Sequence, residues 1–293
     1  MKSLIYYSVI AAVTFCSCSN PRYINSPSAY NPSFFRQKGD MKFSGSVSVN
    51  PSTFNRDFSS TDNDEDNSIG FDGQAGFALS DHFLIEFGGM YRQETDYFSD
   101  DDLSTTSLAS RVDYKRSLFN VGLGFYAPMG RLGSNYFNMV FDGAIGKMTS
   151  TDDADPYSAL RHRKYDADLL KLSLKPAFNF FFSDAFRMSV APRFAVLKLN
   201  NISTTYTTVE EQTLGYHTAH DEFLPLFEPS LHLQVGPQSA KWVKFDFGFN
   251  FATNPLKTSS DETPIVSETY DLYSRGFLFT FGLSFYPFEV RRR

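Results

Sequence analysis

Alternation of apolar and polar residues with period two recurs along this 293-residue chain and constrains its fold more than any other feature. Such alternation is typical of a β-strand whose two faces meet different environments. In the last such segment, every second residue from Phe277 to Phe285 is Phe or Leu, and the residues between them include Thr280, Gly282 and Ser284. The segments that alternate in this way are 41–49, 68–80, 83–93, 111–127, 135–147, 165–182, 186–199, 223–235, 241–252 and 274–287.

The apolar face of these segments is almost uninterrupted Phe, Leu, Val and Ile, and the opposite face carries Gly, Ser, Asn and charged residues. Strands of a transmembrane barrel have this composition because one face meets lipid and the other a polar lumen. Hydrocarbon offers no partner to an unpaired backbone N–H, so a sheet in lipid must close on itself. We therefore predict an all-β fold, a ten-stranded antiparallel transmembrane β-barrel formed by residues 41–293. The alternation leaves open closure at eight strands and a soluble, lipid-anchored β-sandwich.

Aromatic residues near the ends of the predicted strands are expected to form the interfacial girdles that anchor barrels at headgroup depth. They are Tyr91, Tyr126, Tyr136, Trp242, Tyr273, Tyr286 and Phe288.

The connections between the predicted strands are alternately short and long, as in barrels with short periplasmic turns and long extracellular loops. The five long connections are 50–67, 94–110, 148–164, 200–222 and 253–273. They hold 21 acidic and 5 basic residues, whereas the rest of the chain holds 12 acidic and 22 basic residues. This segregation indicates that the two ends of the barrel face different compartments. An even number of strands predicts that both chain ends emerge at the short-turn, periplasmic end.

The N-terminal region has the layout of a secretory signal peptide, which we assign to residues 1–17: a basic residue, an apolar run and small residues. Both cysteines lie at its end, so no disulfide or cysteine metal site is available to the exported fold. The sequence Phe15-Cys16-Ser17-Cys18 resembles a bacterial lipobox, and we predict lipidation of Cys18. The alternative is an ordinary signal peptide cleaved near Ser19. Residues 18–40 lack periodicity and are predicted to be an extended, lipidated tether.

The stretch Asn31–Asp40, with Lys38-Gly39-Asp40 leading straight into the first strand, resembles the entry into a family of Bacteroidota outer-membrane β-barrel proteins. Members of this family are often lipoproteins of unassigned role. Together with the lipobox and the ten alternating segments, the resemblance covers nearly the whole chain. It implies a location in the outer membrane of a Gram-negative bacterium more than it implies an activity.

Charged residues of both signs fall on the predicted lumen face, where opposite charges can fill a narrow barrel because an unpaired charge there is costly. The predicted lumen charge network is Glu86, Lys171, Arg187, Arg193, Glu228, Lys244 and Asp246. This pattern predicts a plugged barrel. The alternative is a narrow passive channel lined by the same residues.

The long loops carry the remaining candidate chemistry. Asp62, Asp64 and Asp66 could bind Ca²⁺, but their loop lacks the Gly and the final Glu of an EF-hand. The residues His217, His220 and Asp221 could act as a rim hydrolase of the omptin type, although no omptin motif accompanies them. A solvated polar loop is the expected interpretation of both groups.

We therefore predict a non-enzymatic barrel without a cofactor, with a structural, surface-interaction or complex-subunit role carried by its acidic loops. The expected partners are outer-membrane lipid and lipopolysaccharide, with a surface ligand or a larger outer-membrane complex as further candidates. The acidic balance and scattered basic residues argue against a nucleic-acid partner.

Overall fold

A computed structural model describes residues 23–50, 67–98, 110–130, 135–154, 162–213, 216–219, 223–253 and 273–287. The strands in these ranges are β1 (Tyr23–Asn25), β2 (Met41–Val49), β3 (Asn67–Ala78), β4 (Phe83–Phe98), β5 (Ser110–Met129), β6 (Asn135–Ala154), β7 (Arg163–Phe181), β8 (Phe186–Ala191), β9 (Phe194–Thr204), β10 (Leu224–Phe227), β11 (Ser230–Val235), β12 (Val243–Phe251), β13 (Tyr273–Ser274) and β14 (Phe277–Phe285). A short helix, α1 (Thr208–Thr213), and a 3-10 helix, Tyr216–Ala219, lie between β9 and β10. Neither described helix is long and apolar enough to span a membrane.

The wall is one closed antiparallel sheet. Neighbouring wall strands pair in chain order from β2 to β14, and β14 pairs back with β2 from Phe285↔Phe43 to Phe279↔Val49. The segments β8 and β9 together form the seventh wall strand, and β10 and β11 together form the eighth, so the barrel has ten strands. The predicted ten-stranded antiparallel barrel is therefore confirmed, and the sandwich and eight-stranded alternatives are wrong.

Three prolines explain why the seventh and eighth wall strands are interrupted. The flanking registers place Pro176, Pro192 and Pro229 side by side on adjacent strands. Arg193 and Glu228, one position along, exchange both backbone hydrogen bonds at 3.2 and 2.7 Å. Proline has no N–H to donate to the ladder, so the strands lose regular pairing along this row.

The outer surface of the wall is an apolar belt. On β5, Phe119, Leu123 and Phe125 are 54%, 61% and 44% exposed, and the belt continues around the barrel with Phe and Leu at every second position. Large apolar side chains exposed in a continuous band are stable in contact with lipid. On β4 to β7 the strands continue beyond the belt, where their outward residues are polar, for example Gln93 and Lys115.

The aromatic girdle is confirmed in part by the side-chain directions. Tyr91 and Trp242 are 46% and 42% exposed on the outer surface, as a girdle requires. Tyr126 and Tyr286 are instead buried in the lumen at 1% and 3% exposure, and Tyr136 packs inward against Tyr126 and Phe181, so the assignment of these three to the girdle is wrong. All three lie at positions whose side chains point into the barrel. Phe288 and the side chain of Tyr273 lie outside the described part.

The fourth long connection folds back over the mouth of the barrel. Tyr216 of the 3-10 helix stacks on Tyr165 of β7, with ring centroids 4.3 Å apart, and Tyr206 packs against it at 5.5 Å. Arg163 donates hydrogen bonds of 2.8–3.1 Å to Glu210 of α1, and these lower the pKa of the Glu210 carboxyl below its usual value. This connection therefore closes part of the long-loop end.

The apolar belt predicts a contrast between two positions on β5. Leu123→Arg places a cation at belt level and is expected to lower the free energy of unfolding in lipid vesicles by about 2–4 kcal/mol, whereas Ser117→Arg, beyond the belt, costs about 0–1 kcal/mol. Both side chains point outward, so the comparison isolates depth in the membrane. Denaturant titration measures the difference. Equal losses for both variants would contradict the lipid-facing belt.

Candidate functional site in the barrel lumen

Residues 23–40, which we call the lumen segment, run through the barrel from its long-loop end to its short-turn end. At the long-loop end, the Tyr23 ring lies against Tyr114 of β5, with centroids 6.3 Å apart. At the other end, the backbone N–H of Lys38 donates to Asp81 Oδ1 at 2.9 Å in the short turn between β3 and β4. From there the chain turns at Gly39, which has φ +84°, and enters β2.

This path differs from the sequence-based expectation for residues 18–40, which separates them from the barrel as a tether. The segment is extended, as its lack of periodicity indicates, but it is enclosed by the barrel wall. Its side chains that are at most 3% exposed include Ile24, Asn25, Ser26, Tyr30, Ser33, Phe34 and Phe35. The described part of the tether is therefore an integral part of the barrel interior.

An ionic cluster holds the segment at the long-loop end. The carboxylate of Glu94 accepts a hydrogen bond from Ser26 Oγ at 2.9 Å, lies 2.9 Å from Arg275 Nε and pairs with Arg116. Arg116 also donates to the backbone carbonyl of Tyr23. Glu94, Arg116 and Arg275 are 0–6% exposed at their side chains, so these interactions form away from bulk water.

A second ion pair that binds the lumen segment lies further into the barrel. Arg92 donates to Asp72 Oδ2 at 2.9 Å and to the carbonyl of Pro27, while Asp72 Oδ1 accepts the backbone N–H of Ala29 at 2.9 Å. One wall ion pair therefore satisfies a donor and an acceptor of the segment's backbone.

The centre of the lumen holds a three-residue charge cluster. Glu228 lies 2.7 Å from Lys171 Nζ and 2.7 Å from Arg193 Nε, and it accepts a hydrogen bond from Asn25 Nδ2 at 3.1 Å. Arg193 in turn donates to the hydroxyl and the carbonyl of Ser28 at 2.8 and 3.1 Å. Two cations are thus compensated by one wall carboxylate and by polar groups of the lumen segment.

Asn31 is the main polar contact towards the short-turn end. Its Nδ2 donates to Asp246 Oδ2 at 2.8 Å, and Gln234 donates to the other Asp246 oxygen at 2.9 Å. Lys42 donates to the carbonyls of Asn31 and Pro32. The backbone carbonyls of the segment therefore accept the hydrogen bonds that water would otherwise provide to this buried ammonium group.

The segment packs closely against β3 at Ser33. Its hydroxyl donates to Glu86 Oε1 at 2.7 Å, and Asn138 Nδ2 donates to its carbonyl at 2.6 Å. A Cβ on Gly76 would lie 2.5 Å from Ser33 Oγ and 3.0 Å from the Phe35 ring. Glycine at 76 therefore leaves the space that Ser33 and Phe35 occupy, and a large side chain there has no room while the segment is in place.

Aromatic residues close the short-turn end. Phe34 packs edge-on against Phe181 with centroids 5.4 Å apart, and the Arg187 guanidinium lies 5.2 Å from the Phe181 ring and 5.0 Å from the Tyr286 ring. Such cation–π contacts are favourable for a guanidinium removed from water. This end is closed by rings and a guanidinium, whereas the other end combines the ion pairs of Glu94 with the stacked rings of Tyr165 and Tyr216.

A cavity of about 30 Å³ remains beside Ser28, Ala29 and Tyr30, on the side of the lumen lined by Asp142 and Lys175. That volume holds about two water molecules. The cavity is too small to provide a path for a hydrated ion.

The structure places every member of the predicted lumen charge network on the inner face, with exposures of 0–4%: Glu86, Lys171, Arg187, Arg193, Glu228, Lys244 and Asp246. It brings Lys171, Arg193 and Glu228 together in the central cluster. Glu86, Asp246 and Arg187 instead contact the lumen segment at separate levels. Lys244 donates to the carbonyl of Asp184 at 2.6 Å in a short turn.

Sequence reasoning missed the buried charged residues towards the long-loop end, which are Arg92, Glu94, Asp96, Arg116 and Arg275. The third predicted strand ends at residue 93, but β4 extends to Phe98. The sequence feature that could have revealed them is the series Arg92, Glu94 and Asp96, in which every second residue is charged and continues the inward face of the strand.

The candidate loop residues are mostly outside the described part of the chain. This applies to Cys18, to Asp62, Asp64 and Asp66, and to His220 and Asp221. His217 is described and exposed, with Nδ1 3.4 Å from the carbonyl oxygen of Glu211. Among the described residues, no group of three His, Cys, Asp or Glu side chains could hold a metal ion.

Comparison with known proteins gives similarities to solved structures and to nothing else. No protein-family model and no curated protein matches it. Among solved structures, it is similar to the transport unit of the autotransporter AIDA-I from Escherichia coli, with 10% identity and a TM-score of 0.46 over 88% of this chain and 93% of that chain. The translocator domain of the autotransporter NalP from Neisseria meningitidis gives 7% identity and a TM-score of 0.45 over 85% and 88% of the two chains.

A third similar structure is the outer membrane protein OprG from Pseudomonas aeruginosa, with 13% identity and a TM-score of 0.31 over 86% of this chain and 97% of that chain. All three are outer-membrane β-barrels. At these identities and TM-scores the similarity does not extend to activity, partners or site residues. The class of protein, a ten-stranded transmembrane β-barrel with an occupied lumen, follows from the strand pairing and the burial described above.

The central cluster predicts that Glu228→Gln destabilises the barrel strongly. The substitution keeps the shape of the side chain but leaves Lys171 and Arg193 without their carboxylate, and breaking a buried pair costs about 3–5 kcal/mol. Asp184→Asn is the matched control, because it removes an exposed pair with Lys241 that is worth less than about 1 kcal/mol. Denaturant titration in lipid vesicles measures both losses. Equal losses would contradict a desolvated charge cluster in the lumen.

Proposed function

We propose that this chain is an outer-membrane β-barrel of a Gram-negative bacterium of the Bacteroidota, with a non-enzymatic structural or surface-interaction role, either alone or within a larger outer-membrane complex. The observation that carries this proposal is the occupied lumen. Side chains from wall strands on all sides of the barrel bind the backbone and side chains of residues 23–40, from Arg116 at one end to Asp81 at the other. A barrel filled in this way supports a role for its surfaces rather than for its interior.

The surface best suited to such a role is the set of long connections. As bounded from the sequence, they carry 21 acidic and 5 basic residues, of which Glu94, Asp96 and Asp152 are buried on the inner face of the wall. A wall of four extended strands, β4 to β7, raises some of these connections beyond the lipid belt. In this proposal the long connections face the exterior and the short turns face the periplasm. Their excess negative charge favours a cationic ligand, or divalent ions that bridge the loops to the phosphates of lipopolysaccharide.

The proposal includes a lipid on Cys18 and removal of residues 1–17 as a signal peptide. The lipobox-like sequence supports the modification, and so does the position of both cysteines at the end of an apolar N-terminal run. One acyl-bearing residue adds a membrane anchor to a barrel that already lies in the bilayer. Its contribution would therefore be to position the N-terminal region rather than to retain the protein in the membrane.

Conductance in planar bilayers distinguishes this proposal from a passive channel. The full chain is expected to give no steady single-channel steps, and a variant lacking residues 20–36 is expected to give them, because the deletion removes the segment that fills the lumen. A heat-modifiable shift in gel migration establishes that each variant has formed a closed barrel. Steady steps from the full chain, equal to those of the deletion variant, would contradict the proposal and support a channel.

A pair of glycine variants provides the control for the deletion. Gly76→Leu adds a side chain where the segment packs against β3, so it is expected to displace the segment and produce conductance steps. Residue 73 lies on the same strand but faces outward, and a Cβ there would lie 4.0 Å from its nearest neighbour, the backbone oxygen of Ser44. Gly73→Leu is therefore expected to produce no conductance steps. Both variants keep the whole chain.

A further inference from the structure

The direction of the lumen segment determines where the chain before it leaves the barrel. Tyr23 contacts Arg116 and Tyr114 of β5, which lie beyond Phe119, the last large apolar residue of the belt on that strand. Phe34, eleven positions later, packs on Phe181 at the opposite end of the barrel. The first described residue is therefore at the long-loop end, not at the short-turn end where the even strand number predicts both chain ends.

The lumen leaves no room for the preceding chain to turn back. The cavity beside Ser28–Tyr30 measures about 30 Å³, enough for about two water molecules and far less than a second extended pass of polypeptide. The side chains around the path are already engaged with residues 23–40. The described interior therefore has no space for a second pass of chain beside residues 23–40.

The pairing of β1 indicates the side of the mouth at which the chain emerges. β1 runs parallel to β13, with Tyr23 opposite Tyr273, and β13 leads within three residues into β14. Within the described ranges the wall is low on this side, because β14 and its neighbours β2 and β12 have nine residues each, whereas β5 and β6 have twenty. The outward residues of β14 are Phe and Leu along its whole length, so the strand ends at the belt.

Cys18 is five residues before Tyr23, and five extended residues span at most about 17 Å. That distance allows residue 18 to pass the low rim beside β14 and reach the adjacent lipid surface. It does not allow residue 18 to reach the short-turn end, because the lumen segment itself needs more than ten residues to cross the barrel.

We infer that the chain preceding Tyr23 emerges on the same side as the long loops, so that the N-terminal region is displayed at the cell surface and the acyl chains on Cys18 enter the outer leaflet beside β14. The location of the acyl chains rests on the lipidation proposed above. The exit at the long-loop end rests on the described residues, and its placement at the cell surface rests on the proposed orientation of the long loops. The chain would thus be anchored twice, by its barrel and by a lipid inserted from the outside.

Thiol labelling of intact cells tests this topology. Asn20→Cys, expressed in the full chain, is expected to react with a membrane-impermeant maleimide on intact cells. Ser239→Cys is the matched control, since it adds one thiol at an exposed position in a short turn and is expected to react only after the outer membrane is permeabilised. Labelling of Asn20→Cys only after permeabilisation, or not at all, would overturn the inference.

Thiol labelling and palmitate incorporation of the unsubstituted chain test the proposed lipidation independently of this inference. An acylated Cys18 has no free thiol, so the unsubstituted chain is expected to remain unlabelled and to incorporate labelled palmitate. Labelling of the unsubstituted chain on intact cells, without palmitate incorporation, would contradict the lipid anchor while supporting surface exit. Palmitate incorporation with Asn20→Cys protected on intact cells would support the anchor and overturn surface exit.

Discussion

Desolvated charge in the lumen is the constraint on which the rest of this structure depends. A sheet in lipid must close, and closing ten strands turns their polar faces into a space with little water. Buried ions such as Arg116, Lys171 and Glu228 are stable there only when each has a counter-charge or hydrogen-bond partners. The wall supplies some of these partners by pairing across strands. The lumen segment supplies the others through its backbone carbonyls, amides and hydroxyls.

This arrangement links the interior of the barrel to its surface. The segment that satisfies the lumen is continuous with β2 at one end and with the N-terminal region at the other, so the direction of the segment determines the side on which that region lies. The described wall is also taller on one side of the barrel than on the other. The tall side, β4 to β7, supports the connection that packs Tyr216 over the mouth, and the low side, around β14, leaves the rim close to lipid.

The sequence predicted the wall well because lipid imposes a strict binary pattern, and the ten predicted segments correspond to the ten wall strands. The predicted segments 111–127 and 165–182 nearly reach the upper ends of β5 and β7, whereas those of β4 and β6 were missed. Beyond the belt the outward residues are polar, and in β4 the alternation of apolar and polar residues stops at Gln93. The lumen segment gave no periodic signal, because it is held by hydrogen bonds from many strands rather than by one apolar face. Its buried Tyr30, Phe34 and Phe35 were the available indication.

A disulfide between the lumen segment and the wall tests the central claim most directly. Ser33→Cys combined with Gly76→Cys is predicted to form a cross-link in the folded barrel, because a Cβ on Gly76 lies 2.5 Å from Ser33 Oγ and disulfides require Cβ atoms about 3.5–4.5 Å apart. Ser33→Cys with Gly73→Cys is predicted to stay reduced, since residue 73 faces outward on the same strand. Alkylation of free thiols, with the single variants as background, distinguishes the two. Absence of the cross-link from heat-modifiable barrels of the first pair, or equal cross-linking in both pairs, would contradict a lumen filled by residues 23–40.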